Sequence, residues 1–114
     1  MKFFSPEEAD VVLFGVPIGK RFEQISKVLR ETPAYLETFD LETKRDLLGD
    51  IKVADGGDLK IDTLTQVTSY TKSLVDKGKI PFAFAGDHPS LWTIQAFTQP
   101  LKVLHFDAHC DLKD

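Results

Sequence analysis

Residues 80–88 have the sequence IPFAFAGDH, a run of apolar side chains that ends in a glycine, an acid and a histidine. Nearly continuous apolar runs also occur at residues 11–16 (VVLFGV) and 102–106 (KVLHF), and a less continuous one occurs at residues 51–54 (IKVA). Continuous runs are typical of strands buried on both faces of a parallel sheet, whereas half-exposed strands alternate apolar and polar residues. The sequence therefore predicts strands in a parallel sheet.

Segments with helical spacing separate these predicted strands. From about residue 62 to residue 77, one face carries side chains that recur every three or four positions, and Gly78 is a typical helix end. The residues of that face are Leu64, Val67, Thr71, Leu74 and Val75. An earlier apolar stripe consists of Phe22, Ile25, Val28 and Leu29, and a last helix is predicted from about Pro89. Strands that alternate with helices indicate an α/β layered fold.

Length and composition narrow the class of protein. The 114 residues suffice for one small domain, and a net charge of -4 offers no basic surface for nucleic acid and no polybasic run for a membrane. The single cysteine, Cys110, excludes an internal disulfide and is compatible with a reducing compartment. No apolar stretch resembles a secretory signal or approaches the roughly 20 residues of a membrane helix. We therefore expect a cytoplasmic protein.

Three of the predicted strands end in carboxylates or histidine, and active sites of α/β sheets lie at such strand ends. The three motifs are Asp55-Gly-Gly-Asp58, Gly86-Asp87-His88 and Asp107-Ala-His109-Cys-Asp111.

The segment from Asp107 to Asp111 has the sharpest pattern of the three. In an extended chain, residues two apart project to the same side, so Asp107, His109 and Asp111 would aim at one place. Two carboxylates and an imidazole favour manganese over a cysteine-based structural zinc site. The same ligands are also compatible with zinc or iron. Cys110 lies between the ligand positions and would point the other way.

Each motif also has a simpler interpretation. An Asp-x-His-x-Asp string taken alone is more often a solvated loop in which an aspartate caps a helix. Asp87 would equally serve as an N-cap ahead of Pro89, with His88 incidental. Residues 55–58 form a common turn signal. Independent turns do not explain why all three motifs follow predicted strands between residues 55 and 111, and this coincidence favours a metal site.

Four segments, in order along the chain, resemble motifs of the arginase/agmatinase/formiminoglutamase superfamily of ureohydrolases. FAGDHPSLWTIQAF (84–97) resembles its Gly-Gly-Asp-His-Ser segment with the helix that follows, and VLHFDAHCDLKD (103–114) resembles its Asp-Ala-His-x-Asp segment. VADGGD (53–58) resembles an Asp-x-Gly-Asp turn, and VVLFGVPIG (11–19) resembles the first strand and its Gly-Val-Pro loop. The resemblance implies a three-layer αβα fold with a mainly parallel sheet. Residues 1–114 would form the incomplete N-terminal part of one such domain.

The resemblance also implies a site for two Mn²⁺ ions. His88 would ligate one ion and His109 the other, while Asp107 would bridge both. Asp111 would bind the same ion as His88. Asp87 would not ligate an ion, but would orient a ligand or cap the following helix.

The activity that the resemblance implies is hydrolysis of a C–N bond other than a peptide bond. In the family, a metal-bridging hydroxide attacks the carbon of a guanidinium or linear amidine group, and urea or formamide is released together with an amine. The substrate would be a small guanidino or amidine molecule, which the motifs do not identify further. A homo-oligomer is a further expectation from the resemblance.

The chain also departs from the family pattern. The later Asp-x-Asp segment that completes the ligand set does not occur in the 114 residues, so we expect this chain alone to be inactive. Ala85 replaces a glycine and Pro89 replaces a serine, which would remodel the loop that carries His88. One alternative is a non-catalytic remnant of the fold that acts in interaction or assembly. A deacetylase of related fold ranks last, because that group has no counterpart of the His88 segment.

Overall fold

Strands and helices alternate along the chain, as the spacing of its apolar residues predicts. The computed structural model describes residues 3–32, 37–46 and 48–111. Its elements, in chain order, are β1 (Val11–Gly15), α1 (Phe22–Glu31), β2 (Phe39–Asp40), β3 (Arg45–Asp46), β4 (Val53–Asp58), α2 (Thr65–Asp76), β5 (Ile80–Phe84) and α3 (Ser90–Ile94).

β1 is the central strand of a parallel sheet with the order β4-β1-β5. Val11 pairs with Val53 on one side and with Ile80 on the other, so the carboxyl ends of all three strands lie at one edge. β2 and β3 form a separate antiparallel pair. The predicted α/β fold with a parallel sheet is confirmed.

The main core lies between β1 and α2. Val12 and Phe14 are fully buried in one cluster with Val67 of α2. The Phe14 ring also meets the Tyr70 ring edge-on, with centroids 4.9 Å apart. The helix ends ahead of Gly78, whose φ of 72° suits glycine, as the sequence predicts. The predicted face of α2 is confirmed by its buried residues, which are Val67, Thr71 and Leu74.

α1 packs on the opposite face of the sheet. Successive residues of a strand face opposite sides, so Gly15 faces away from the side on which Phe14 is packed. A Cβ on Gly15 would lie 2.8 Å from the Phe22 ring of α1. Phe22 in turn stacks on Phe84 of β5, with ring centroids 5.9 Å apart. Helices on both faces give the three-layer αβα arrangement that the resemblance implies.

The buried face of α1 differs from the predicted apolar stripe. Val28 is 53% exposed, whereas the polar Ser26 is only 6% exposed. Ser26 and Arg30 turn toward carboxylates of β4 and form hydrogen bonds with them. These polar contacts, together with the burial of Phe22, set the rotation of the helix about its axis.

β4 lies later in the chain than the strand predicted at residues 51–54. The motif Asp55-Gly-Gly-Asp58 is therefore part of the strand and not a turn beyond it. Gly57 has a φ of 77°, and the pairing with β1 shifts register between Leu13 and Gly15. A glycine at positive φ permits such an irregularity without ending the strand.

The strand predicted at residues 102–106 is not formed. Residues 101–107 pair with no strand among the described residues, and their side chains are exposed. A strand needs a neighbour to satisfy its backbone donors and acceptors, so an apolar run without one does not form a ladder.

α3 is short, and it is tied to the neighbouring helix by a side-chain hydrogen bond. The Thr68 hydroxyl of α2 donates to the Trp92 carbonyl oxygen over 2.7 Å. None of the helices within the described ranges combines the length and the apolar character needed to cross a bilayer.

Candidate metal centre

The loop after β5 holds His88 at the carboxyl edge of the sheet. The Gly86 N–H donates to the Ile18 carbonyl oxygen over 2.8 Å. A Cβ on residue 86 would lie 2.7 Å from the backbone nitrogen of Phe22, so a side chain at this position would force the two backbones apart. The loop that carries His88 is thereby anchored to the segment that leads into α1.

Asp87 contacts His88 and does not cap α3. Its Oδ1 accepts a hydrogen bond from the His88 backbone N–H over 2.9 Å and lies 3.9 Å from His88 Nε2. Pro89 occupies the N-cap position, and no side-chain hydrogen bond caps the helix. Asp87 therefore lies beside the imidazole, as a residue that orients this ring would.

Residues 107–111 bend, where an extended chain was predicted. Asp107 Oδ1 accepts a hydrogen bond from the His109 backbone N–H over 2.8 Å, which closes a turn typical of aspartate. Asp111 has a φ of 53°, in the left-handed region. The segment is therefore not extended as expected, because Asp107 accepts a hydrogen bond from the backbone N–H two residues further on.

His88, Asp107 and Asp111 nevertheless come together. One candidate ligand atom of each residue lies within 4.8 Å of those of the other two, and His88 Nδ1 lies 3.6 Å from Asp111 Oδ2. Two ligands at about 2.0–2.2 Å from one ion lie about 3 Å apart at right angles and about 4.2 Å apart when opposite. Small rotations of these exposed side chains would bring all three donors onto one ion. The two carboxylates suit Mn²⁺, and the imidazole is compatible with it.

The surroundings of Asp107 favour its charged form. The hydrogen bond from the His109 backbone N–H lowers the pKa of the Asp107 carboxyl, and desolvation opposes this effect. The nearby His105 and His88 lower the pKa further. A carboxylate must be deprotonated to ligate a metal, so the turn prepares Asp107 for that role.

His109, a predicted ligand, lies beside this cluster of three residues and not within it. Its Nδ1 is 3.6 Å from Asp107 Oδ1, and its side chain is largely exposed. His105 was not among the residues predicted from the sequence, and its Nε2 lies 3.7 Å from Asp107 Oδ2. His105 lies two residues before Asp107, so the same two-residue spacing could have identified it from the sequence.

The carboxylates of Asp55 and Asp58 are engaged by α1 and not by the cluster. Arg30 Nε and Nη2 donate to the two oxygens of Asp55 over 2.7 and 3.1 Å, and Nη1 donates to Asp58 Oδ1 over 2.7 Å. The Ser26 hydroxyl donates to Asp58 and accepts a hydrogen bond from Arg30 Nη1. The guanidinium also lies over the Phe84 ring, 5.2 Å from its centroid.

This network shifts the pKa values of its members in opposite directions. Burial opposes the charge of Asp55, but the hydrogen bonds from Arg30 and from the Gly57 N–H outweigh it, so the pKa of Asp55 is lowered. The hydrogen bond to Asp55 in turn raises the pKa of Arg30, against some desolvation. Both shifts favour the charged pair of Arg30 and Asp55, and this pair fixes α1 to the carboxyl end of β4.

A groove of about 630 Å³ runs beside the outer edge of β5. Residues of α2, of β5 and of the segment around α3 line it, and His88 and Asp87 lie at its wall. Asp107 and Asp111 do not line it. We therefore associate this groove with the edge of the sheet that no described strand covers, and not with the metal cluster.

A parallel sheet with histidine and aspartate gathered beyond its carboxyl edge defines an α/β protein with a candidate metal centre. The chain belongs to the arginase family, whose model matches residues 9–114. The resemblance found in the sequence motifs is thus confirmed at the level of the family.

Named relatives agree with this assignment. The agmatinase of Bacillus subtilis (strain 168) is 33% identical over 125 residues, covering 94% of this chain and 42% of that protein. The mitochondrial guanidino acid hydrolase of Homo sapiens is 30% identical over 128 residues, covering 96% of this chain and 36% of that protein. The chain thus spans about two fifths of the length of these relatives.

Solved structures show the same fold. The agmatine ureohydrolase of Thermoplasma volcanium superposes with a TM-score of 0.66 at 26% identity, covering 82% of this chain and 36% of that chain. The formiminoglutamase of Trypanosoma cruzi, solved with Mn²⁺, superposes with a TM-score of 0.56 at 22% identity, covering 68% and 31%. At this lower identity, the likeness concerns the fold alone.

Proposed function

We propose that this chain carries part of the active site of a manganese-dependent ureohydrolase, which hydrolyses a C–N bond of a linear guanidinium or amidine compound. The observation that carries the proposal is the approach of His88, Asp107 and Asp111 to within 4.8 Å, in a member of the arginase family. The donor set supports Mn²⁺, and the names of the agmatinase and guanidino acid hydrolase relatives support the substrate class.

The position of Asp107 supports its role as a carboxylate shared by two ions. Its Oδ2 faces His105 Nε2 at 3.7 Å, and its Oδ1 faces His109 Nδ1 at 3.6 Å. The two oxygens thus point to different histidines, as those of a bridging carboxylate would. Asp107 and His109 would hold one ion, and Asp107 would share the other with His88 and Asp111.

Two bound divalent ions would supply an activated water and stabilise the negative charge that develops during attack on the substrate carbon. Asp87, 3.9 Å from His88 Nε2, would keep that imidazole oriented with Nδ1 toward Asp111. The hydrogen bond from the His109 N–H lowers the pKa of Asp107, which favours the carboxylate form that ligates a metal.

We also propose that residues 1–114 form the N-terminal part of a single arginase-like domain. The support is that the chain spans 42% of the B. subtilis agmatinase. The reading frame after Asp114 would then encode an Asp-x-Asp segment near the end of a strand. A continuing frame without such a segment would contradict this proposal.

A non-catalytic role in interaction or assembly is the second candidate. It is favoured by the exposure of His88, Asp107 and Asp111, because hydrolytic metal sites are normally shielded from bulk water.

Titration of the protein with Mn²⁺ in a calorimeter tests the metal site. We expect binding by the wild type, and an affinity at least ~100-fold lower in His88→Ala and Asp107→Ala, because each change removes a ligand. Asp76→Ala removes an exposed aspartate of α2 and serves as the control, with unchanged affinity. A product of the whole reading frame that does not bind Mn²⁺ would overturn the proposal.

Activity separates the two candidates. The product of the whole reading frame is incubated with agmatine, arginine, guanidinobutyrate or formiminoglutamate, and the release of urea or formamide is measured with and without Mn²⁺. Release that requires Mn²⁺ supports the hydrolase. Mn²⁺ binding without release of either product supports the non-catalytic role.

A further inference from the structure

Arg30 contacts the ends of the two strands that flank the central strand. Its guanidinium donates hydrogen bonds to Asp55 and Asp58 of β4 and lies over the ring of Phe84, 5.2 Å from the centroid. Phe84 is the last residue of β5, and His88 follows it in the next loop. We propose that Arg30 is a positioning residue for His88 and acts on it through Phe84. This inference rests on the proposed function, since it concerns a ligand of the proposed metal site.

The ring of Phe84 is fixed from two sides. A cation within about 6 Å of a ring centroid is attracted to the face of the ring, more strongly where water is excluded. Phe84 is only 7% exposed and the side chain of Arg30 is 23% exposed, so this contact is largely shielded. Phe84 also stacks on Phe22, with an angle of 12° between the ring planes. Arg30 and Phe22 together therefore fix the carboxyl end of β5 against α1.

A short series of contacts leads from the Phe84 ring to His88. The Phe84 carbonyl oxygen accepts a hydrogen bond from the Val16 N–H over 2.8 Å. A Cβ on Gly86 would lie 2.7 Å from the Phe22 backbone nitrogen, so the loop after β5 is in direct backbone contact with the start of α1. His88 lies two residues beyond Gly86. A displacement of the Phe84 ring would therefore be transmitted to the backbone that carries the imidazole.

The carboxylates of β4 orient the guanidinium that contacts the ring. Arg30 Nε and Nη2 donate to the two oxygens of Asp55, and Nη1 donates to Asp58 Oδ1. This fork fixes the plane of the guanidinium, which a lysine ammonium in its place would not do. The position of Phe84 therefore depends on β4, and Arg30 couples the end of β4 to the end of β5 across β1.

Calorimetric titration with Mn²⁺ tests the inference on the product of the whole reading frame, well below its unfolding temperature. Arg30→Met should weaken the binding of the ion at His88 by about 10-fold, the lower end of the loss typical for a group that orients a ligand. Val67→Ala is the control, because it destabilises the core on the opposite face of the sheet. It should bind Mn²⁺ as the wild type does. Equal losses of affinity in the two variants would overturn the inference, because affinity would then follow stability.

Circular dichroism checks that each variant is folded. If Arg30→Met does not fold, Arg30→Lys takes its place, since it keeps a cation and loses the fork. We then expect weaker Mn²⁺ binding than in the wild type. Unchanged affinity of Arg30→Lys would overturn the inference in that case.

A double-mutant cycle tests the route through Phe84. Phe84→Leu removes the ring and keeps an apolar side chain, and it should also weaken Mn²⁺ binding by about 10-fold. If Arg30 acts through this ring, the double variant should lose little more than either single variant. Independent effects would instead multiply to about 100-fold, and this result would overturn the inference.

The imidazole ¹⁵N resonances of the metal-free protein separate positioning from a loss of stability alone. Arg30→Met should shift the His88 resonances, whereas Val67→Ala should leave them as in the wild type. Unshifted His88 resonances in Arg30→Met would overturn the inference even if this variant binds Mn²⁺ more weakly.

The inference and the proposed function fail in different ways. Mn²⁺ affinity that is unchanged in a folded Arg30→Met would overturn only the inference. A product of the whole reading frame that does not bind Mn²⁺ would overturn both.

Discussion

The contacts of Arg30 allow a quantitative test of what holds α1 on the sheet. Arg30→Met keeps an unbranched apolar stem near Phe84 and removes the donors that bind Asp55 and Asp58. Asp55 then remains largely buried without its cationic partner, with only 22% of its side chain exposed. The substitution therefore isolates the charged contacts from the packing of the helix.

The expected loss of unfolding free energy depends on how far each contact is shielded from solvent. Hydrogen bonds to charged groups contribute about 1.5–3 kcal/mol, whereas exposed ion pairs contribute about 0.2–1 kcal/mol. Arg30 is 23% exposed and Asp58 is 41% exposed. The contribution of the Arg30–Asp55 bond should therefore be close to that of a shielded charged hydrogen bond, and that of the Arg30–Asp58 bond close to that of an exposed ion pair. We expect Arg30→Met to lower the free energy of unfolding by about 2–3 kcal/mol. In a double-mutant cycle with Asp55→Asn, the coupling should be about 1.5 kcal/mol.

Urea unfolding at pH 7, followed by circular dichroism, measures these changes through the midpoint at constant m-value. Arg45→Met is the matched control, because Arg45 pairs with Asp50 at the surface, where the side chains are 67% and 58% exposed. Its loss should stay below about 1 kcal/mol. A strong, shielded contact between Arg30 and Asp55 is contradicted if Arg45→Met costs as much as Arg30→Met, or if the cycle gives a coupling below about 0.5 kcal/mol.

Three further outcomes are expected. Because the pKa of Asp55 is lowered in the folded chain, its stabilisation is present above the unfolded pKa of about 3.9 and is lost as pH falls through the folded pKa. The stability difference between the wild type and Asp55→Asn should therefore shrink from pH 7 to pH 3, and a constant difference in urea midpoint would contradict this. Gly86→Ala should lower the free energy of unfolding by about 2 kcal/mol and weaken Mn²⁺ binding, because a Cβ at this position would meet backbone atoms. Gly78→Ala has open space around its Cβ, so it should lower the free energy of unfolding by only about 1 kcal/mol and leave Mn²⁺ affinity unchanged. Equal effects of the two alanines on Mn²⁺ affinity would count against the anchoring of the loop. By elemental analysis, Asp107→Ala should lose more bound manganese than Asp111→Ala, and equal losses would argue against Asp107 as the shared ligand.

Strands could be predicted from the sequence only where an apolar run lies beside a partner strand in the structure. The runs at residues 11–16 and 80–85 became β1 and β5, because each lies beside another strand of the sheet. The run at residues 102–106 has a similar composition and forms no strand, since composition reports what a segment can bury and not what lies beside it. The link between Arg30 and Asp55 also escaped prediction, because nothing local in the sequence couples two residues on different elements.

The candidate site was predictable in its residues more than in its geometry. Polar residues after buried strands, together with the family resemblance, selected His88, Asp107 and Asp111, which the structure brings together. The conformation of residues 107–111 depends on the hydrogen bond from the His109 N–H to Asp107. The two-residue spacing of the motif does not show whether this turn forms. That turn moves His109 away from the cluster and leaves His105 near it.

The central place of β1 has a consequence for how the chain acquires its structure during synthesis. β1 is made before both of its partner strands, which are Val53 to Asp58 on one side and Ile80 to Phe84 on the other. It therefore leaves the ribosome with both edges open, and pairing requires closure of long loops, which makes folding slow. Meanwhile the apolar VVLFG segment is exposed to other chains. We expect nascent chains of this protein to depend on chaperone protection of β1 until β5 has emerged.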